Sequence, residues 1–111
     1  MKPIKINHVA IVVRDIDASL DFWVKAFGLR LDHVEDVPSQ ASKVAFLPLG
    51  ESEVELVQPT SMDSGMAAYL EKRGEGMHHL CIEVEDIDAA LAHLKALDVR
   101  LINSEPEVLP G

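Results

Sequence analysis

Branched apolar residues run through positions 4–13 and 77–84 with the period of a strand. Each run leads into an aspartate and then into apolar residues at helical spacing. Asp15 precedes Ile16, Leu20, Trp23 and Phe27, and Asp86 precedes Ile87, Ala90, Leu91 and Leu94. An aspartate at that point accepts hydrogen bonds from the unpaired N–H groups of a first turn, and Asp17 and Asp88 add favourable charge there, so helices are predicted to start at 16 and 87. Gly28 predicts the end of the first helix and Asp98, a weaker stop, the end of the second. Between them, strands are predicted at 30–35, 43–49 and 53–58, with turns at 38–42 and 50–52. A connector follows with a short helix over 64–72, closed by Gly74, and a last short strand is predicted at 99–103.

The two openings are copies of one another. HVAIVVRDIDASL from His8 lies over HLCIEVEDIDAAL from His79, and eight of thirteen positions agree: His8/His79, Ile11/Ile82, Val13/Val84, Asp15/Asp86, Ile16/Ile87, Asp17/Asp88, Ala18/Ala89 and Leu20/Leu91. A period near 71 residues is too long for a solenoid unit and marks a duplicated supersecondary module. The expected fold is α+β: paired βαβββ modules forming a curved mixed sheet with helices outside, in a single domain over 1–111. Module one covers 1–60, the connector 61–76, and a partial module two 77–111. The second module lacks the strands that symmetry predicts, roughly 25 residues, so the chain is expected to be a fragment or to be given without its C-terminal end.

Strand parity decides which side chains can meet. Val9, Ile11 and Val13 share the face expected to lie under the first helix, as do Leu80, Ile82 and Val84 in the copy, and Val54 and Leu56 in the last strand of module one. His8 and Ala10, then His79, Cys81 and Glu83, then Glu53, Glu55 and Val57 point the other way. On one sheet those faces line one cleft, bringing together His8, His79 and a glutamate, Glu55 in preference to Glu53. Two imidazoles and a carboxylate are a donor set for a first-row divalent metal. The position equivalent to Glu55 in module two, where a fourth ligand is expected, falls beyond the chain. His78 falls on the helix-facing side, His33 and His93 read as surface residues, and Met62, Met66 and Met77 read as connector packing.

Composition narrows the partners. Of 111 residues, 48% are hydrophobic and 26% charged, which is globular composition with length enough for a core. The net charge of −9, with scattered lysines and arginines, argues against nucleic acid. A single cysteine excludes a disulfide framework, and no apolar run is long enough to span a membrane. A reducing, cytoplasmic setting is expected.

The stretches NHVAIVVRDIDASLDFW, VELVQP and GMHHLCIEVEDIDAAL resemble the vicinal oxygen chelate superfamily, which includes glyoxalase I, extradiol dioxygenases, bleomycin-resistance proteins and methylmalonyl-CoA epimerases. VAFLPLGESEVELVQPT, AAYLEKRGEGMHHLCIEVEDIDAAL and INSEPEVLPG are most similar to the epimerase branch. The resemblance implies an isomerase that inverts methylmalonyl-CoA through a metal-stabilised enolate. It implies metal ligands at His8, Glu55 and His79, a divalent ion (cobalt, manganese, nickel or zinc), an acyl-CoA substrate and a homodimer. It leaves the catalytic acid and base unassigned: the family's last-strand glutamate has no counterpart, and another glutamate falls near Lys43 and Val44, where no acid stands. The alternatives are a lactoylglutathione lyase of the glyoxalase I type and a metal-free binding or resistance protein; the His8/His79 pair argues against the latter.

Overall fold

The computed structural model describes residues 1–107; residues 108–111, the last of the predicted partial module, lie outside the described residues. The elements run β1 (Pro3–Val12), α1 (Ile16–Leu20) continuing as a π-helix (Asp21–Ala26), β2 (His33–Val37), a 3-10 turn (Pro38–Gln40), β3 (Ser42–Leu49), β4 (Ser52–Pro59), α2 (Gly65–Arg73), β5 (Gly76–Val84) and α3 (Ile87–Ala96). The five strands form one mixed sheet in the order β2-β3-β4-β1-β5. β2, β3 and β4 are successive antiparallel neighbours, whereas β4 returns to lie parallel to β1, with His8 opposite Glu53 and Ala10 opposite Glu55. The α+β class and the mixed sheet expected from the sequence are therefore present.

The chain divides into two compact units, Ile6–Cys81 and Met1–Lys5 with Ile82 onward. In the larger unit the sheet has an apolar layer on each face. Under the helix, Val13, Ile16, Leu29, Ala45, Leu47 and Leu56 are buried together, with Ile11, Leu20, Trp23, Val24 and Val54 packed on them. On the other face Ala10, Val37, Val44, Phe46 and Val57 form a second cluster, against which Met66 of α2 packs. The parity argument thus placed Ile11, Val13, Val54 and Leu56 correctly, while the opposite face is partly roofed by α2.

Capping works as the sequence predicts. The Asp15 carboxylate accepts from the Asp17 N–H at 3.0 Å, and the Gln58 side chain reaches from β4 to accept from the Ile16 N–H at 2.9 Å. The first helix departs from expectation after one turn. Its hydrogen bonds widen to i→i+5, as in Phe27 N–H to Phe22 C=O at 2.8 Å, and the Phe22 and Phe27 rings stack with centroids 5.9 Å apart. The wider turn rotates Phe27 out of the core stripe, leaving it 64% exposed, and Val24 packs inward with Trp23 instead. Gly28 then ends the helix at φ +89°.

The second strand begins at His33 rather than near residue 30. Leu29 is buried and Leu31 packs on the core without a ladder, so their alternation mimics a strand. The 3-10 turn closes with Ala41 in the left-handed region at φ +49°, its N–H donating to the Pro38 C=O. A Cβ is disfavoured there. Ala41→Gly is therefore expected to raise stability by about 0.5–1 kcal/mol, read as a higher denaturation midpoint at unchanged slope.

In the smaller unit, Asp86 caps α3 by accepting from the N–H groups of Asp88 and Ala89, and the Glu85 N–H donates to the Lys2 C=O at 3.0 Å. Asp98 ends the helix segment at φ +59°. The strand expected at 99–103 is absent: these residues are irregular, and Ile102 is fully exposed, so the apolar alternation is not used for burial.

Candidate functional site

All three residues singled out from the sequence lie in the larger unit, on the sheet face opposite α1. β1 presents His8, β4 presents Glu55 and β5 presents His79. His8 Nδ1 is 3.2 Å from Glu55 Oε2 and 2.9 Å from Asn7 Oδ1. Since the Asn7 oxygen can only accept, the hydrogen belongs on Nδ1, which leaves the Nε2 lone pair of His8 available. The His79 ring stands edge-on to that of His8, with centroids 5.5 Å apart.

The electrostatics disfavour charge on every member. Burial lowers the His8 pKa below its ordinary value, with the opposing pull of Glu53 too weak to restore it. Burial also lowers that of His79, helped by the neighbouring His78 and His8 rings. Burial, together with the charge of Glu53, pushes the Glu55 carboxyl up to about 7. His8 and Glu55 therefore meet near neutral pH as a close polar contact short of positive charge, not as a strong ion pair.

Sequence parity missed His78. It was expected on the helix-facing side, yet its Nδ1 lies 2.8 Å from that of His79, and its ring sits against Tyr69 with centroids 4.7 Å apart. Tyr69 in turn donates from its hydroxyl to the Met77 C=O, and the Arg73 guanidinium lies over its ring. The two neighbouring rings meet edge to face, and a pair of consecutive histidines was the available signal. Asn7, which fixes the His8 tautomer, was likewise not singled out. His33 is on the surface as expected, although its ring stacks on Phe46 at 4.4 Å.

The donor types suit a first-row divalent ion: two imidazoles whose lowered pKa favours the neutral form, one with a defined free Nε2, and a carboxylate. As they stand they do not close around one point, and among the described residues no group of three or more His, Cys, Asp or Glu side chains is disposed to hold a metal. Two cavities among the described residues lie away from these side chains. One, of about 500 Å³, lies beside α1 between Arg14, Trp23 and Glu75, and the other, of about 420 Å³, lies between Arg14, Thr60 and α2. Among the described residues no helix is long and apolar enough to cross a membrane.

Comparison with known proteins agrees with this architecture. The sequence profile of the Glyoxalase/Bleomycin resistance protein/Dioxygenase superfamily matches residues 7–109. The chain is 35% identical over 105 residues to the mitochondrial methylmalonyl-CoA epimerase of Homo sapiens, covering 94% of this chain and 60% of that protein. It is 37% identical over 106 residues to the ethylmalonyl-CoA/methylmalonyl-CoA epimerase of Cereibacter sphaeroides, covering 94% and 79%. Among solved structures, it is similar to a methylmalonyl-CoA epimerase in complex with methylmalonyl-CoA and NH4+, with a TM-score of 0.87 and 31% identity over 96% of this chain and 78% of the other. The chain thus spans about three fifths of the length of the human relative.

Proposed function

The chain belongs to the glyoxalase/bleomycin resistance protein/dioxygenase superfamily, and we propose that within it the protein epimerises methylmalonyl-CoA at the carbon between the thioester and the carboxylate. The observation that carries this reading is the convergence of His8, Glu55 and His79 on one sheet face in a chain similar to epimerases along nearly its whole length. The proton on that carbon is acidic for a C–H and still far too weakly acidic for water to remove at pH 7, so a site must stabilise the enolate and move a proton on each face.

His8, Glu55 and His79 would hold the divalent ion, whether cobalt, manganese, nickel or zinc. When bound, such an ion supplies electrophilic stabilisation of developing negative charge on neighbouring oxygens. The chain's own residues prepare that site. Asn7 holds the proton of His8 on Nδ1 and so keeps Nε2 as the free nitrogen. Desolvation lowers the pKa of both imidazoles and so favours their neutral form. Phe46, opposite Glu55 in the ladder, and Val57 keep the floor of the cleft apolar. A homodimer and a cytoplasmic setting belong to the same reading.

Solvent deuterium is expected to enter the α-carbon of methylmalonyl-CoA when the protein is supplied with each of the four ions in turn, and to stop entering after chelation. The hemithioacetal that forms spontaneously from methylglyoxal and glutathione should not be turned over. Turnover of that hemithioacetal without deuterium entry into the CoA ester would replace this reading with a glutathione-dependent lyase. Deuterium entry that survives chelation would remove the metal from it.

A further inference from the structure

Glu35 lies on β2 directly opposite Val44 of β3. His33 and Val37, two residues to either side, share its face: His33 stacks on Phe46, and Val37 is buried with Val44, Phe46 and Val57. Glu35 is therefore on the same sheet face as Glu55 and His8, at the far side of the apolar floor. Its Oε2 is fully enclosed and, among the described residues, is a buried side-chain oxygen with no hydrogen-bond partner.

Such an oxygen is costly. Enclosing a carboxylate oxygen without a donor loses its hydration and regains nothing, and native structures rarely keep such groups without a use for them. Folding alone would favour an apolar residue here, matching Val44 across the ladder and Val37 along the strand. The placement also has the right scale. Glu35 and Glu55 stand two strands apart and two residues out of line, about 12 Å between Cα atoms by ordinary sheet spacing. Across that distance the two carboxylates can flank a small acyl group from opposite sides.

We propose that Glu35 is a proton-transferring carboxylate of this cleft, acting on one face of the substrate's α-carbon. The proposal rests on the epimerase reading above. For one epimer, the α C–H bond breaks, its electron pair stays with the substrate as the enolate, and the proton forms an O–H bond on the Glu35 carboxylate. A new C–H bond then forms on the opposite face, its proton coming from an acid in exchange with solvent water. In the reverse direction Glu35 returns its proton to the enolate. No oxidant or reductant is involved.

The test uses the metal-loaded protein in deuterium oxide, with each methylmalonyl-CoA epimer supplied separately. Wild type should exchange the α-proton of both epimers and interconvert them. If it does neither, the epimerase reading itself fails, independently of Glu35. In Glu35→Gln, interconversion is expected to fall by about a hundredfold or more, and exchange to be lost for one epimer while continuing for the other within about threefold of wild type. Glu35→Asp, which keeps a carboxylate, should recover at least about tenfold of the loss. The proposal is overturned if Glu35→Gln exchanges both epimers at the wild-type rate, or if Gln and Asp variants lose exchange of both epimers in equal proportion, as a purely structural residue would.

Discussion

Glu55→Gln is expected to stabilise the metal-free protein by about 2–3 kcal/mol at pH 8 and to leave it unchanged at pH 4. Burial and the charge of Glu53 hold the Glu55 carboxyl at about 7 against an ordinary 4.5, and the side chain is only 16% exposed, so solvent does little to screen the effect. The folded chain thus keeps this proton where the unfolded chain has released it. Below pH 4.5 both states are protonated and the group makes no difference. From pH 4.5 to 7 the unfolded state binds fewer protons, so stability falls as pH rises, and above pH 7 the penalty is complete. An uncharged glutamine of the same shape removes it. The two histidines work in the opposite sense. Their lowered values mean that the unfolded chain takes up protons first as pH falls through the range below 6.5, so their contribution is present above that range and lost beneath it. Denaturant midpoints of wild type and variant between pH 4 and 8, with EDTA present, should therefore diverge as pH rises. Parallel curves would mean that the Glu55 carboxylate is not disfavoured by its surroundings. A gain in stability on replacing a site residue is the usual mark of a group retained for chemistry.

The shared face of His8, Glu55 and His79 was legible in the sequence because it depends on strand parity and on a duplication. His8 and His79 stand at equivalent positions of the repeat, and the alternation of Val54, Glu55, Leu56 and Val57 assigns Glu55 to the face away from α1 whatever the sheet order. The two capping aspartates were equally local and equally legible. What was not legible depends on long-range pairing or on helix pitch. Glu35 gains its meaning only from standing opposite Val44, and the position of β2 was displaced in the sequence reading because Leu29 and Leu31 bury without pairing. The i→i+5 turn that exposes Phe27 accompanies the stacking of Phe22 on Phe27, and a 3.6-residue period does not anticipate it. The contact of His78 with its neighbour His79 is one that strict alternation of faces does not anticipate.

His8→Ala and Leu56→Ala should separate function from stability across the thickness of a single sheet. Leu56 is fully buried under α1 with Leu47, Ala45 and Ile16, and it follows Glu55 in the chain. Truncating it leaves a cavity that this close-packed layer cannot refill, at a cost of about 3–4 kcal/mol. For a domain of this size that corresponds to a melting temperature lower by roughly 10–20 °C in a circular dichroism melt. The cleft face is a separate cluster built on Val44, Phe46 and Val57, so the activity of each folded Leu56→Ala molecule should stay within about threefold of wild type at low temperature. His8→Ala has the reverse profile. The ring packs against His79 and hydrogen-bonds at the cleft, with no place in the apolar layer under the helix, so stability should change by no more than about 1 kcal/mol. Loss of its Nε2 should lower divalent-ion retention and reduce kcat/KM for methylmalonyl-CoA by about a hundredfold or more. Equal activity in His8→Ala and wild type would remove the imidazole pair from the chemistry. A large loss of stability would show that the pair is there to hold the sheet together, since the two faces would then not be separable by single substitutions.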